Sequence, residues 1–191
     1  MEKHVQTPKL TSEQVAEVSR LVADYISAQR REYAPRASRL TANQSMTLAA
    51  FFSSELLENV RLLVLQGERV PNPDFYPMLR SFGFKNLPDQ SGMAAITFSD
   101  VVVSHEPFSD GLLFHELVHV EQYRQLGIPR FADLYVRGFL KGGSYEEIPL
   151  EVNAYGLESR FLRNPGRSFE VKLEVARWAS NGETLSHFPC Q

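Results

Sequence analysis

The sequence has a single cysteine in 191 residues, Cys190, next to the last position. It can close no internal disulfide, so a small domain held together by disulfides is excluded and a reducing compartment is favoured. No apolar run approaches the roughly 20 residues that span a bilayer. The opening MEKHVQTPKL lacks the apolar core of a secretory leader, which points to a cytoplasmic protein. Charge of one sign is lacking too: 20 basic residues face 23 acidic ones, for a net charge of −3. That balance gives no footprint for nucleic acid. Internal repeats and low-complexity stretches are missing as well.

What is present suits one soluble globular domain, with 43% hydrophobic and 23% charged residues. Residues 1–10 read as a loose tail. Thr11-Ser12-Glu13-Gln14 opens a helix to about Arg31, with Val15, Val18, Leu21, Val22, Tyr25 and Ile26 at helical spacing. Arg30, Arg31, Arg36 and Arg39 read as a solvated surface. A second helix is expected over 43–54, burying Met46, Leu48, Ala49, Phe51 and Phe52. VRLLVL (60–65) reads as a strand, and Pro71, Pro73 and Pro77 as loop and turn. MAAITFSDVVV (93–103) is the clearest β signal, with Ser99-Asp100 as turn or bulge. Further helices are expected over 111–126, 130–141, 149–163 and 168–179. Ser109 or Asp110 would cap the first, Gly127 would end it, and Pro149 opens the third. Residues 180–191 are expected to be irregular.

The helix over 111–126 contains His115-Glu116-Leu117-Val118-His119. Residues four apart share a helix face, so two imidazoles can aim at one point. Glu116, about 100° round the helix, stands beside that point without being a ligand and can take a proton from a water there. A zinc ion held by the two imidazoles lowers the pKa of a water towards about 7, which is the mechanical content of H-E-x-x-H. The alternative, two core histidines bonded to neighbours, explains neither Glu116 nor the spacing.

A zinc hydrolase needs a third protein ligand and an open fourth position. The metzincin pattern would place a histidine six residues after His119, where this chain has Gln125. The gluzincin pattern takes a glutamate from a later helix, and Glu146, Glu147, Glu151 and Glu158 are the candidates. Glu151 is preferred, in the first turns of the helix opened by Pro149 and three residues before the small Ala154. Glu147 is the next choice.

HELVHVEQY followed by PLEVNAY resembles the zincin metallopeptidases, gluzincin branch. More narrowly it resembles compact bacterial zincin-like domains, among them the metallopeptidase-like core domain associated with extracellular contractile injection systems. The resemblance covers about residues 90–160. It implies His115, His119 and Glu151 as zinc ligands, Glu116 as general base, and an edge strand lining a cleft where an extended peptide can pair. The best-known gluzincins carry an aspartate four residues after the glutamate ligand to orient a histidine; here that position is Tyr155. Support for the ligands must therefore come from elsewhere.

Gln122, seven residues after His115, can reach a ligand or the later helix. Tyr155 is the candidate hydrogen-bond donor to the reacting carbonyl, with Tyr145 and Tyr123 as competitors. His105 follows the β run within reach of the cleft but, as a loop histidine with no motif partner, reads as incidental; His4 and His187 are assigned nothing. The fold class expected is α+β and zincin-like, mostly helical with a small β-sheet. The chain is read as a single domain, 1–191: a helical part with the first strand (1–90), a catalytic core (91–165), and a C-terminal helix and tail (166–191). The expected function is zinc-dependent hydrolysis of a peptide or protein substrate. A non-enzymatic protein-binding module braced by zinc is the alternative, and a toxin or effector domain of larger machinery is a third reading with the same chemistry.

Overall fold

A computed structural model of the chain describes residues 8–164 and 166–183. The architecture is α+β, mostly helical, with one three-stranded mixed sheet. Helix α1 (Ser12–Tyr33) starts at Thr11, whose side chain accepts from the Gln14 backbone while the Gln14 side chain accepts from the Thr11 N–H. That reciprocal cap is the one the sequence predicts. The helix buries Val15, Val18 and Ile26. Arg31, Arg36 and Arg39 are exposed, as expected, while Arg30 reaches the strand turn and pairs with Asp100 at 2.9 Å.

The helix expected over 43–54 is two short ones, α2 (Ala42–Leu48) and α3 (Ser54–Asn59). Phe51 and Phe52 are both buried, in the stretch between the two helices. The chain turns after Leu48, which accepts backbone bonds from both phenylalanines, and Ser53 caps the restart. Met46 and Ala49, expected inside, are exposed; Leu48 occupies the buried face of α2.

Strand β1 (Arg61–Val64) lies where the sequence places it. Helix α4 (Tyr76–Ser81) replaces part of the loop expected around Pro77, because a proline suits the first helical turn. The long β signal folds into a hairpin, β2 (Ala95–Phe98) and β3 (Val101–Ser104), turning at Ser99 with φ 63°. The order is β1-β3-β2, with β3 parallel to β1 and antiparallel to β2. Central β3 is buried along its length and faces two cores. Val101 and Val103 pack with α1, and Val102 packs with Leu113, Phe114, Leu117 and Val118.

Those last residues belong to α5 (Asp110–Gly142), which Ser109 caps. The two helices expected over 111–126 and 130–141 form this one bent element. Gly127, with φ 74° and ψ 161°, breaks it into 110–126 and 128–142. Helix α6 (Pro149–Arg163) opens at Pro149 as expected. Helix α7 (Val171–Glu183) starts later and runs further than expected, burying Val171 and Val175. Residues 1–7 and 184–191, with His4, His187 and Cys190, lie outside the described residues. No helix among the described residues is long and apolar enough to cross a membrane.

The φ/ψ pair at Gly127 belongs to a region open essentially to glycine. Gly127→Ala should therefore lower stability by about 1–3 kcal/mol, read as a fall in the urea midpoint. Gly156→Ala, on the exposed side of α6 with open space where the added methyl would stand, should raise it by about 0.5–1 kcal/mol.

Candidate metal centre

The first half of α5 is buried on every side, so its polar residues must find partners in the interior. His115, Glu116 and His119 each retain 5% exposure, and Glu151 in the first turn of α6 retains 3%. His115 Nε2 and His119 Nε2 lie 3.1 Å apart. Glu151 Oε2 is 3.4 Å from the first and 3.3 Å from the second. A tetrahedral ion with bonds of about 2.0–2.1 Å separates its ligands by about 3.3–3.4 Å, so this triangle has the right size. Glu151 Oε2 is buried and accepts no hydrogen bond of good geometry. An orphaned carboxylate oxygen facing two imidazole nitrogens is a donor set that could hold a metal ion.

The far side of each imidazole is fixed. His115 Nδ1 lies 3.1 Å from Glu158 Oε2, and His119 Nδ1 lies 2.8 Å from Gln122 Oε1. With both imidazoles neutral, as a metal would require, the Nδ1 atoms carry the protons and the Nε2 lone pairs face the shared centre. Gln122 is held in turn: its amide NH2 donates to Leu150 O at 3.0 Å and to Asn153 Oδ1 at 2.9 Å. Gln122, expected to reach either a ligand or the later helix, thus contacts both His119 and the α6 backbone.

The support sought in place of an aspartate at 155 comes from Glu158, which sequence reasoning weighed only as a ligand. Its signal was available: seven residues after Glu151 is two helical turns, hence the same face. Glu146 and Glu147 are exposed and outside the cluster. Asn153 and Thr97 were missed, because their roles depend on contacts between distant elements.

Glu116 stands outside the triad. Its Oε2 accepts from the Thr97 hydroxyl of β2 at 2.7 Å. Burial pushes its carboxyl up from the ordinary value, against the pull of His119, His115 and Thr97. Burial would also raise the Glu151 carboxyl, but the two imidazoles hold it far below the usual carboxylate range. His119 responds in the opposite direction. Burial disfavours its imidazolium, yet Glu151, Glu116 and Gln122 together lift it to about 9.

A cavity of about 120 Å³ opens onto Glu116, His119 and Glu151, with Thr97, Tyr123 and Tyr145 also in its wall. Tyr123 is stacked on Phe131, with ring centroids 3.7 Å apart. Tyr155 is half-exposed and lies with its ring against His115, centroids 4.5 Å apart, away from that wall. His105 serves the fold: its Nε2 accepts from the Val70 N–H at 3.0 Å and its Nδ1 meets Met93 O. Comparisons with protein-family models, curated proteins and solved structures return no match.

Two measurements follow from this geometry. Glu158→Ala and Gln122→Ala should each weaken zinc affinity by about 10–100-fold, read by competition with a chromogenic chelator. In chelated protein, the raised His119 contributes stability that is full below its ordinary 6.5 and lost as pH rises through about 9. The urea midpoint of chelated protein should fall across that window, and less so in His119→Ala.

Proposed function

We propose that the chain is a zincin-type metallopeptidase in which His115, His119 and Glu151 hold zinc and Glu116 is the general base. Two imidazoles and a carboxylate with a fourth position open form a catalytic zinc set. Zinc there supplies Lewis acidity and lowers the pKa of water towards about 7. Glu116 takes the proton of the attacking water and passes it to the leaving amine. Its raised pKa suits that exchange, since a base is most effective with a pKa near the working pH. Thr97 restrains the carboxylate so that its other oxygen is free for the proton. Glu158 and Gln122 keep the two Nδ1 protons in place.

The reading rests above all on Glu116. It is a buried carboxylate beside the triad and outside it, facing the same cavity. A metal site that only braces a fold uses four protein ligands and has no need of such a neighbour. Strand β2 adds support: it is an edge strand, and Ile96 and Thr97 lie in the cavity wall. An extended peptide added to that edge would gain backbone hydrogen bonds beside the ligands.

Purified protein should carry about one zinc per chain by elemental mass spectrometry, lost in His119→Ala and Glu151→Ala. Glu116→Gln should keep the zinc and the fold and lose peptide cleavage by a factor of about 10² or more. Near wild-type cleavage by Glu116→Gln would sink the mechanism. Zinc retained by wild type that cleaves no peptide library would favour the zinc-braced binding module.

A further inference from the structure

The cavity that meets the triad is far larger in its apolar part than in its polar part. Beyond Glu116, His119 and Glu151 it is lined by α1, with Val22 and Ile26, by the portion of α5 after the kink, with Val136 and Phe139, and by the α4 region, with Tyr76 and Leu79. Among the described residues, no lysine or arginine lines it. The ionisable groups these residues place at its wall, tyrosines aside, are the three at the polar end, and those are engaged with one another and with Thr97.

The geometry points to this cavity as the pocket for one bulky uncharged side chain, aromatic or branched aliphatic, of the substrate residue beside the scissile bond. The inference deepens the metallopeptidase reading and rests on it for the word substrate. Three observations carry it. The void is continuous with the triad, so a group filling it is tethered within reach of the cleavage centre. Its volume of about 120 Å³ compares with the roughly 150 Å³ that holds a single benzene ring, so it suits one side chain rather than a long acyl chain. Its walls offer no partner for a second charge, and an unpaired charge pressed against such walls is strongly disfavoured.

Gly127 redirects 128–142, and Phe131, Val136 and Phe139 of that portion line the void.

The test uses zinc-loaded Glu116→Gln protein and end-blocked tripeptide amides Gly-X-Gly, with X phenylalanine, leucine, alanine or lysine. Binding is followed by isothermal calorimetry. The phenylalanine and leucine peptides should bind about tenfold or more tighter than the alanine and lysine peptides. Adding Val136→Phe, which fills the cavity from α5, should bring the phenylalanine-to-alanine ratio close to one with zinc content unchanged. Val22→Phe does the same from α1 and serves if the first variant fails to fold. Equal binding of all four peptides overturns the proposal, as does a ratio that survives in both filled variants.

Indole alone separates the two readings. It should raise the melting temperature of wild-type and chelated protein and leave that of Val136→Phe unmoved. No stabilisation of the wild type by indole counts against the pocket itself. Missing zinc or missing cleavage, with indole binding intact, counts against the peptidase reading.

Discussion

Three polar atoms within 3.1 to 3.4 Å of one another, in the interior of a small domain, govern the rest of the structure. Two imidazoles and a carboxylate there lose their hydration, and an ion so buried costs several kcal/mol unless it is paired. The surrounding chain is arranged to meet that cost. Glu158 and Gln122 complete the polar contacts of the two histidines, and Asn153 and the Leu150 carbonyl hold Gln122 in turn. One oxygen, Glu151 Oε2, is left without a hydrogen bond, and it points at both imidazoles. A cation bound between the three groups would satisfy it.

Holding those atoms in place requires rigid elements on both sides. Helix α5 carries both histidines and Glu116 through the interior, flanked by α1 on one side and α6 on the other. The cores on the two faces of the sheet clamp it. Phe114 stacks on Phe161 of α6 with centroids 4.4 Å apart, which joins the motif helix to the helix that bears Glu151. Such an aromatic pair contributes about 0.5–1.5 kcal/mol beyond its buried area. Its position matters more here than its energy, since it lies one residue from His115 and sets the spacing of the helices across which the triad forms.

The same packing leaves the cavity. Helix α1, the α4 region and the second half of α5 leave a gap beside Glu116 and His119, and tyrosines and phenylalanines line it. A buried carboxyl whose pKa is raised by burial, beside an unsatisfied carboxylate and at the end of an apolar void, is the arrangement on which the proposed chemistry rests.

Local chemistry was legible in the sequence. The Thr11 cap, strand 61–64, the glycine break at 127 and the start of α6 at Pro149 each depend on a few neighbouring residues, and each lies where the sequence places it. The i, i+4 spacing of His115 and His119 is likewise a property of one helix. Failures came where local pattern did not decide: the chain turns after Leu48, which splits the helix expected over 43–54, and Met46 faces outwards. Glu151, preferred from the sequence, does join the two histidines, whereas the supports Glu158 and Asn153, the Thr97 contact and the cavity come from elements tens of residues apart. Sequence spacing sets which residues share a face of one element. Which faces meet is decided by how the two cores close, and that choice belongs to the whole chain.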